Sequence, residues 1–428
     1  MFALNLGYRW NLAADVEPIQ SVVYLPVSNH AERIQRARLP EAKRVLFDPQ
    51  LYLCGLNPER ASTACTRLST YSWFGTLGLT EYDSGAQSQR AWQDSLRETI
   101  TESWRGTPPD EAAMSISAAN AVNFQSSFRC THIILPSPLI SEREDEADTQ
   151  AAWLDAGLAA RKDLDIGQPV LATVAVDEAT LNEAAFEQNG FLDTVVDQVT
   201  SRGDDVDGAY IVVTQTHARH PFESSPIVMR AYLHLCASFA HAGLNTVFAN
   251  FCDITGLLCT AVGATGFATG QSQKLRRLSL AGFDDGGGGG RNVPVLYTHK
   301  SAAELLTETD LDLIVEQKLL GRIRDITPHS QALFAELRRE GGGAANLRNW
   351  AESQNNVAAA QRHLLHRIAR EAQKMLKEAV PDRQESARDW LESAAANALL
   401  IRRRLGGTTL RGRFAPAEEW LDCLNHFM

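Results

Sequence analysis

No stretch of this 428-residue chain approaches the roughly 20 consecutive apolar residues that a membrane-crossing helix needs. The opening MFALNLGYRWNLAADVEPIQ lacks the basic segment and apolar core of a secretory leader. A cytoplasmic protein without a membrane partner is the expectation. The seven cysteines, Cys54, Cys65, Cys130, Cys236, Cys252, Cys259 and Cys423, are odd in number, scattered, and include no Cys-x-x-Cys pair. This argues against both a disulfide framework and a structural zinc, and predicts reduced thiols in the core. No repeat of solenoid length is present. Positive charge is also in short supply, with 41 Lys and Arg against 52 Asp and Glu and a net charge of −11. Spread evenly, that charge would repel a polyanion.

The charge is not spread evenly. Residues 328–428 hold 15 Lys and Arg against 12 Asp and Glu, so the acidic excess belongs to the first 327 residues. Arg402, Arg403, Arg404, Arg411 and Arg413 in this basic tail can complement a helix C-terminus or touch phosphate locally. At 44% hydrophobic and 22% charged, the chain can bury one large domain with a smaller one beside it.

Eight short apolar runs, mostly separated by helix-like segments, fall at 21–28, 44–50, 131–138, 169–176, 208–215, 245–251, 263–270 and 293–300. Their hydrophobicity is continuous rather than alternating, as in parallel strands covered on both faces. Eight such units predict a (β/α)8 barrel over residues 1–327. Proline cannot donate to a ladder, so Pro26, Pro49 and Pro136 or Pro138 mark where early strands leave the sheet at the C-terminal rim. About 80 residues, roughly 51–130, follow the second run and read as a helical insertion overhanging that rim. After Thr327-Pro328 the pattern is helical only. Val357, Leu364, Leu365, Ile368, Met375 and Leu376 share one helix face, and Trp390, Leu391, Ala394, Ala398 and Ile401 another. A helical C-terminal domain over 328–428 is expected.

Barrel enzymes build their sites at strand C-termini. Asp48, after RVLF, is the first candidate, since a carboxylate ending an apolar strand must be desolvated or paired; either tunes it as base, nucleophile or ligand. A turn cap before Pro49 is the alternative. Gln215, His217 and His220 follow the fifth run, and the two histidines could flank a substrate, though no third metal ligand is set by spacing. Asn250 and Asp253 end the sixth run, Asp253 serving equally well as a helix N-cap. In GATGFATGQSQ, Gly266 and Gly270 would let backbone N–H groups approach an anion, Thr265 and Thr269 would donate hydroxyls, and Lys274, Arg276 and Arg277 would neutralise it. The alternative is that these glycines allow tight strand packing. Lys300 would be a further rim cation.

The segment Asp83-Ser84-Gly85-Ala86-Gln87 is similar to the DSGGFQ signature of tRNA-guanine transglycosylases, barrel enzymes that exchange a base through an aspartate nucleophile. The resemblance implies that Asp83 contacts the substrate base, with Ser84 to Gln87 around it. LFDPQL shares only Phe-Asp with that family's nucleophile motif and precedes the signature rather than following it. The family's cysteine-rich zinc segment is absent, and no cofactor is indicated. The expected function is a barrel enzyme, a transferase or hydrolase, acting on a phosphorylated ligand, nucleotide or nucleic-acid base with Asp48, His217 and Asp253 as catalytic candidates. The other expectation is a non-catalytic barrel subunit of a bacterial modification or phage-defence complex, using the insertion and the helical tail as partner surfaces.

Overall fold

The computed structural model describes residues 1–7, 16–36, 42, 44–77, 91, 110–141, 146–216, 225–285, 295–306, 310–336, 354–406 and 414–427. Eight parallel strands, β1 (Phe2–Leu6), β2 (Ser21–Tyr24), β3 (Arg44–Phe47), β4 (Ile133–Ile134), β5 (Val170–Val176), β6 (Gly208–Val213), β7 (Thr246–Asn250) and β8 (Gly266–Gly270), pair in the order β3-β2-β1-β8-β7-β6-β5-β4. That is sequence order around a ring, with β1 pairing both β2 and β8. The fold is a (β/α)8 barrel.

Its seam lies between β3 and β4. There Thr131 donates from both N and Oγ1 to the Val45 carbonyl, at 2.8 and 3.0 Å. The two-residue β4 is steadied by Gln125, whose Nε2 donates to the Ile134 carbonyl at 2.7 Å while its Oε1 accepts from the Ile134 N–H at 2.8 Å. A side-chain amide here satisfies buried strand groups that a longer neighbour would pair.

The helical layer is formed by α1 (Glu111–Ser127), α2 (Glu146–Asp163), α3 (Phe191–Thr200), α4 (Pro226–His241) and the short α5 (Gly256–Ala261), followed late in the chain by α6 (Gln354–Met375), α7 (Val380–Leu405) and α8 (Pro416–Asn425). Asp110 caps α1 by accepting from the Ala113 N–H at 2.7 Å. The apolar faces of α6 and α7, with Leu365, Ile368, Leu391 and Ala394, merge into the barrel's own core, and α8 packs on α4 and α7. All seven cysteines are free thiols and buried. Among the described residues, no helix is long and apolar enough to cross a membrane.

Two strand assignments differ from the sequence reading. The first barrel strand is FALNL at residues 2–6, and VPVLYTHK supplies β9 (Val295–Thr298), which pairs antiparallel with β10 (Ala303–Leu306) outside the barrel. An apolar run looks the same in a barrel and in a ribbon buried on both sides, so periodicity could not separate them. The helical insertion consequently follows β3, and Lys300 lies at the end of the ribbon strand, off the rim. One side of the ribbon, with Leu296, Ala303 and Leu305, joins a second apolar core made with Leu311, Ile314, Ile323, Leu333, Phe334 and the end of α7. On α6, His363 clamps this unit, with Nε2 2.8 Å from the Tyr297 carbonyl and Nδ1 2.9 Å from Thr327 Oγ1.

Candidate functional site

β3 ends in Phe47, whose ring packs among Tyr71, Trp73, Phe124 and Phe128 of the insertion at centroid distances of 4.9 to 6.2 Å. Trp73 Nε1 donates to the Pro49 carbonyl at 3.2 Å. This cluster fixes the backbone on both sides of Asp48, so the carboxyl projects into the C-terminal end of the barrel with no freedom to swing out. Gln50 takes a left-handed conformation at φ 53° and donates its N–H to Asp48 Oδ1 at 3.0 Å.

The other oxygen, Oδ2, accepts from Tyr52 at 2.5 Å, from Tyr210 of β6 at 2.8 Å and, more weakly, from Asn250 Nδ2 of β7 at 3.5 Å. Asn250 also donates to the Tyr210 hydroxyl, and its Oδ1 accepts from Asn5 of β1 at 2.7 Å. From α4, Tyr232 reaches between β6 and β7 to donate to the Asn250 carbonyl at 2.6 Å. Strands β1, β3, β6 and β7 thus converge on one fully buried network. Burial pushes the Asp48 carboxyl up to about 6, against the downward pull of Tyr52, Tyr210, Gln50 and Asn250. Burial, and then the charge of Asp48, raise the Tyr52 and Tyr210 hydroxyls well above their ordinary range.

A second cluster adjoins the first through Asn5, whose Nδ2 also donates to the Leu275 carbonyl at 2.9 Å. The next residue, Arg276, donates from Nε to Asp253 Oδ1 at 2.8 Å and pairs through Nη1 with Glu304 of β10 at 2.6 Å. Arg277 Nε meets Asp253 Oδ2 at 3.2 Å. All four side chains are buried. Burial disfavours both cations, yet Asp253 and Glu304 hold Arg276 above its ordinary value while Arg277 falls below it. Phe251 and Asp253 both take left-handed φ, 56° and 50°. For a residue as bulky as phenylalanine this is strained, and such strain concentrates at functional sites.

Of the sequence candidates, Asp48 and Asn250 are in direct contact, and Asp253 and Arg276 form the neighbouring ion pair. Gln215 is buried after β6, its N–H bonded to the Leu278 carbonyl at 2.8 Å. Asp253 starts the turn after β7 as a salt-bridge partner rather than an N-cap. The Gly-Thr segment is placed differently from the expectation. Thr265 and Gly266 stand at the start of β8, the opposite rim from Asp48, where Thr265 Oγ1 accepts from the Val247 N–H at 3.0 Å. A Cβ on Gly266 would press on the Phe248 ring and the Met1 carbonyl, and one on Gly270 would collide with Leu275. These glycines allow close packing. Thr269 alternates with the inward residues and shares its face with Phe267, which packs against α5, so it points into the helical layer. Lys274 is exposed. Arg276 and Arg277 are buried in ion pairs and do not line the surface. His217 and the Asp83–Gln87 segment lie outside the described residues, as does His220.

The sequence reading missed Asn5, Tyr52, Tyr210 and Glu304. Asn5 carried a signal, a lone amide within an apolar strand. Tyr210 did not, because an aromatic in GAYIVV reads as core. Among the described residues no group of three His, Cys, Asp or Glu could hold a metal ion. No family model matches the chain, and no curated protein matches it.

Proposed function

We propose that the chain is a barrel enzyme acting on a nucleotide, a nucleic-acid base or another phosphorylated ligand, with Asp48 as acid/base or nucleophile. One observation carries the reading: a fully buried carboxyl stands at the C-terminal end of a barrel strand, where burial lifts it to about 6, a value suited to proton transfer near neutrality. Oδ2 is saturated by tyrosine and asparagine donors, whereas among the described residues Oδ1 accepts only the Gln50 N–H and keeps a lone pair for a proton or an electrophilic carbon. The surrounding Asn5, Asn250, Tyr52 and Tyr210 are neutral groups of the kind that read amide-like edges of a base. The likeness of Asp83–Gln87 to the transglycosylase signature agrees with this class. In the Gly-Thr segment, packing against Phe248 and Leu275 occupies Gly266 and Gly270.

A second reading, a non-catalytic barrel subunit of a larger assembly, is favoured by Leu399 and Leu400, adjacent on α7 and 39% and 42% exposed. The two readings separate experimentally. Native mass spectrometry of the purified protein reports a co-purifying small molecule or chain, and melting curves with nucleobases and nucleotides identify a ligand. Asp48→Asn is expected to lower turnover by at least about 100-fold while ligand binding persists. Full turnover in Asp48→Asn would refute the enzyme assignment. A co-purifying protein lost on Leu400→Asp, with no ligand response, would establish the second reading.

A further inference from the structure

Glu304 is poorly matched to its surroundings. Its ribbon strand belongs on one side to the second apolar core, and on the other side Glu304 and its cross-strand neighbour Tyr297 face the barrel. Oε1 meets Arg276 Nη1 at 2.6 Å, but Oε2 is buried without a hydrogen-bond partner. Arg276 Nη2 approaches Asp253 Oδ1 to 2.8 Å without making a hydrogen bond. A guanidinium fork suits one planar group that accepts two parallel bonds. Here the fork is divided between two carboxylates, and a buried carboxylate oxygen goes unsatisfied, which is unfavourable.

The position of Arg276 is set from beneath and beside. Leu275 packs directly over Gly270 at the end of β8, and its carbonyl is held by Asn5, which also holds Asn250 in the Asp48 network. The Leu275 carbonyl thus lies one hydrogen bond from the Asp48 network, and Arg276 follows it in the chain. The ribbon carrying Glu304 packs its apolar side on the second core, which includes the end of α7, and His363 of α6 holds the Tyr297 carbonyl.

We propose that Arg276 is the oxyanion-binding residue of the barrel and that Glu304 is an internal stand-in for the phosphate or carboxylate of a ligand, which replaces it when β9 and β10 withdraw. The proposal rests on the Asp48 reading, because only a ligand at the barrel mouth brings its anion to Arg276. Burial also pushes the Glu304 carboxyl up against the pull of Arg276, easing its release.

The test uses the full chain at fixed ionic strength, with inorganic phosphate and malonate as probes followed by melting temperature. Glu304→Gln should show a saturable rise with at least tenfold higher apparent affinity than wild type, and Glu304→Gln/Arg276→Met should lose it. A response to phosphate alone assigns a phosphoryl group, and a response to malonate alone a carboxylate. Equal responses in wild type and Glu304→Gln, or a response surviving in the double variant, would overturn the proposal. Should Glu304→Gln fail to fold, hydrogen exchange of wild-type residues 295–306 decides: saturating phosphate should speed exchange there, and unchanged or slower exchange refutes the displacement. Asp48→Asn should keep the anion response, so failure of the catalytic assignment is distinguishable from failure at Arg276.

Discussion

Asp48 and Glu304 are both fully buried carboxyl groups whose pKa is raised, but they are held in opposite ways. Asp48 receives four neutral donors from its own strand end and from β6 and β7, and Tyr210 and Asn250 are bonded in turn. Among the described residues Glu304 makes a direct ion pair with Arg276 alone and has an oxygen left over. Many neutral hydrogen bonds fix a carboxyl in one geometry while leaving its proton available near neutrality. One strong charge pair secures a link between two parts of the molecule and leaves the site dependent on that charge. The contrast separates a carboxyl held by many neutral donors from one held by a charge.

The largest expected effect falls on the charged side. Asp253 is the carboxylate that both Arg276 and Arg277 share, so Asp253→Ala takes their common carboxylate partner from two buried guanidinium groups. Breaking a buried pair from one side should cost about 3–5 kcal/mol, read from urea unfolding. A loss below 1 kcal/mol would mean that the cluster is hydrated and the contrast with Asp48 is false.

Next is the pH dependence of Asp48. The folded carboxyl keeps its proton up to about pH 6, whereas the unfolded one releases it near 3.8. The folded state therefore binds more protons between those values. This contribution to stability is fully present below about pH 4 and is lost as pH rises through 6, amounting to roughly 3 kcal/mol. Asp48→Asn should flatten the profile, so the stability of wild type relative to this variant grows by most of that amount, roughly 2.4 kcal/mol, on going from pH 7 to pH 4. Parallel unfolding profiles across this range would show that Asp48 is not perturbed.

The smallest effect sharpens the neutral side. Tyr210→Phe removes one donor to Asp48 and leaves the Asn250 amide short of a partner. It should cost about 1–3 kcal/mol and move the Asp48 titration, followed by carboxyl NMR, to still higher pH. A titration that stays in place would mean that the tyrosine contributes packing alone.

Much of this architecture was legible because a parallel barrel writes itself as short continuous apolar runs between helices. Asp48 was legible for the same reason, as a charge ending such a run. Direction along a strand was harder to read: Thr265 and Gly266 belong to a recognisable strand but to its starting end, so they sit on the rim away from Asp48. Tyr210 and Tyr52 were hidden because a hydroxyl that bonds a buried acid and one that merely ends a packed ring are the same residue in a sequence.

By itself, the chain's sequence determined the parallel strands and the presence of an acid at the end of RVLF, since each follows from local hydrophobic pattern. Only the tertiary structure decided that FALNL closes the ring, that four strands deliver their polar groups to Asp48, and that Glu304 arrives from an outlying ribbon to meet Arg276. Those pairings join residues far apart along the chain, and no local pattern encodes which buried donor will face which buried acceptor.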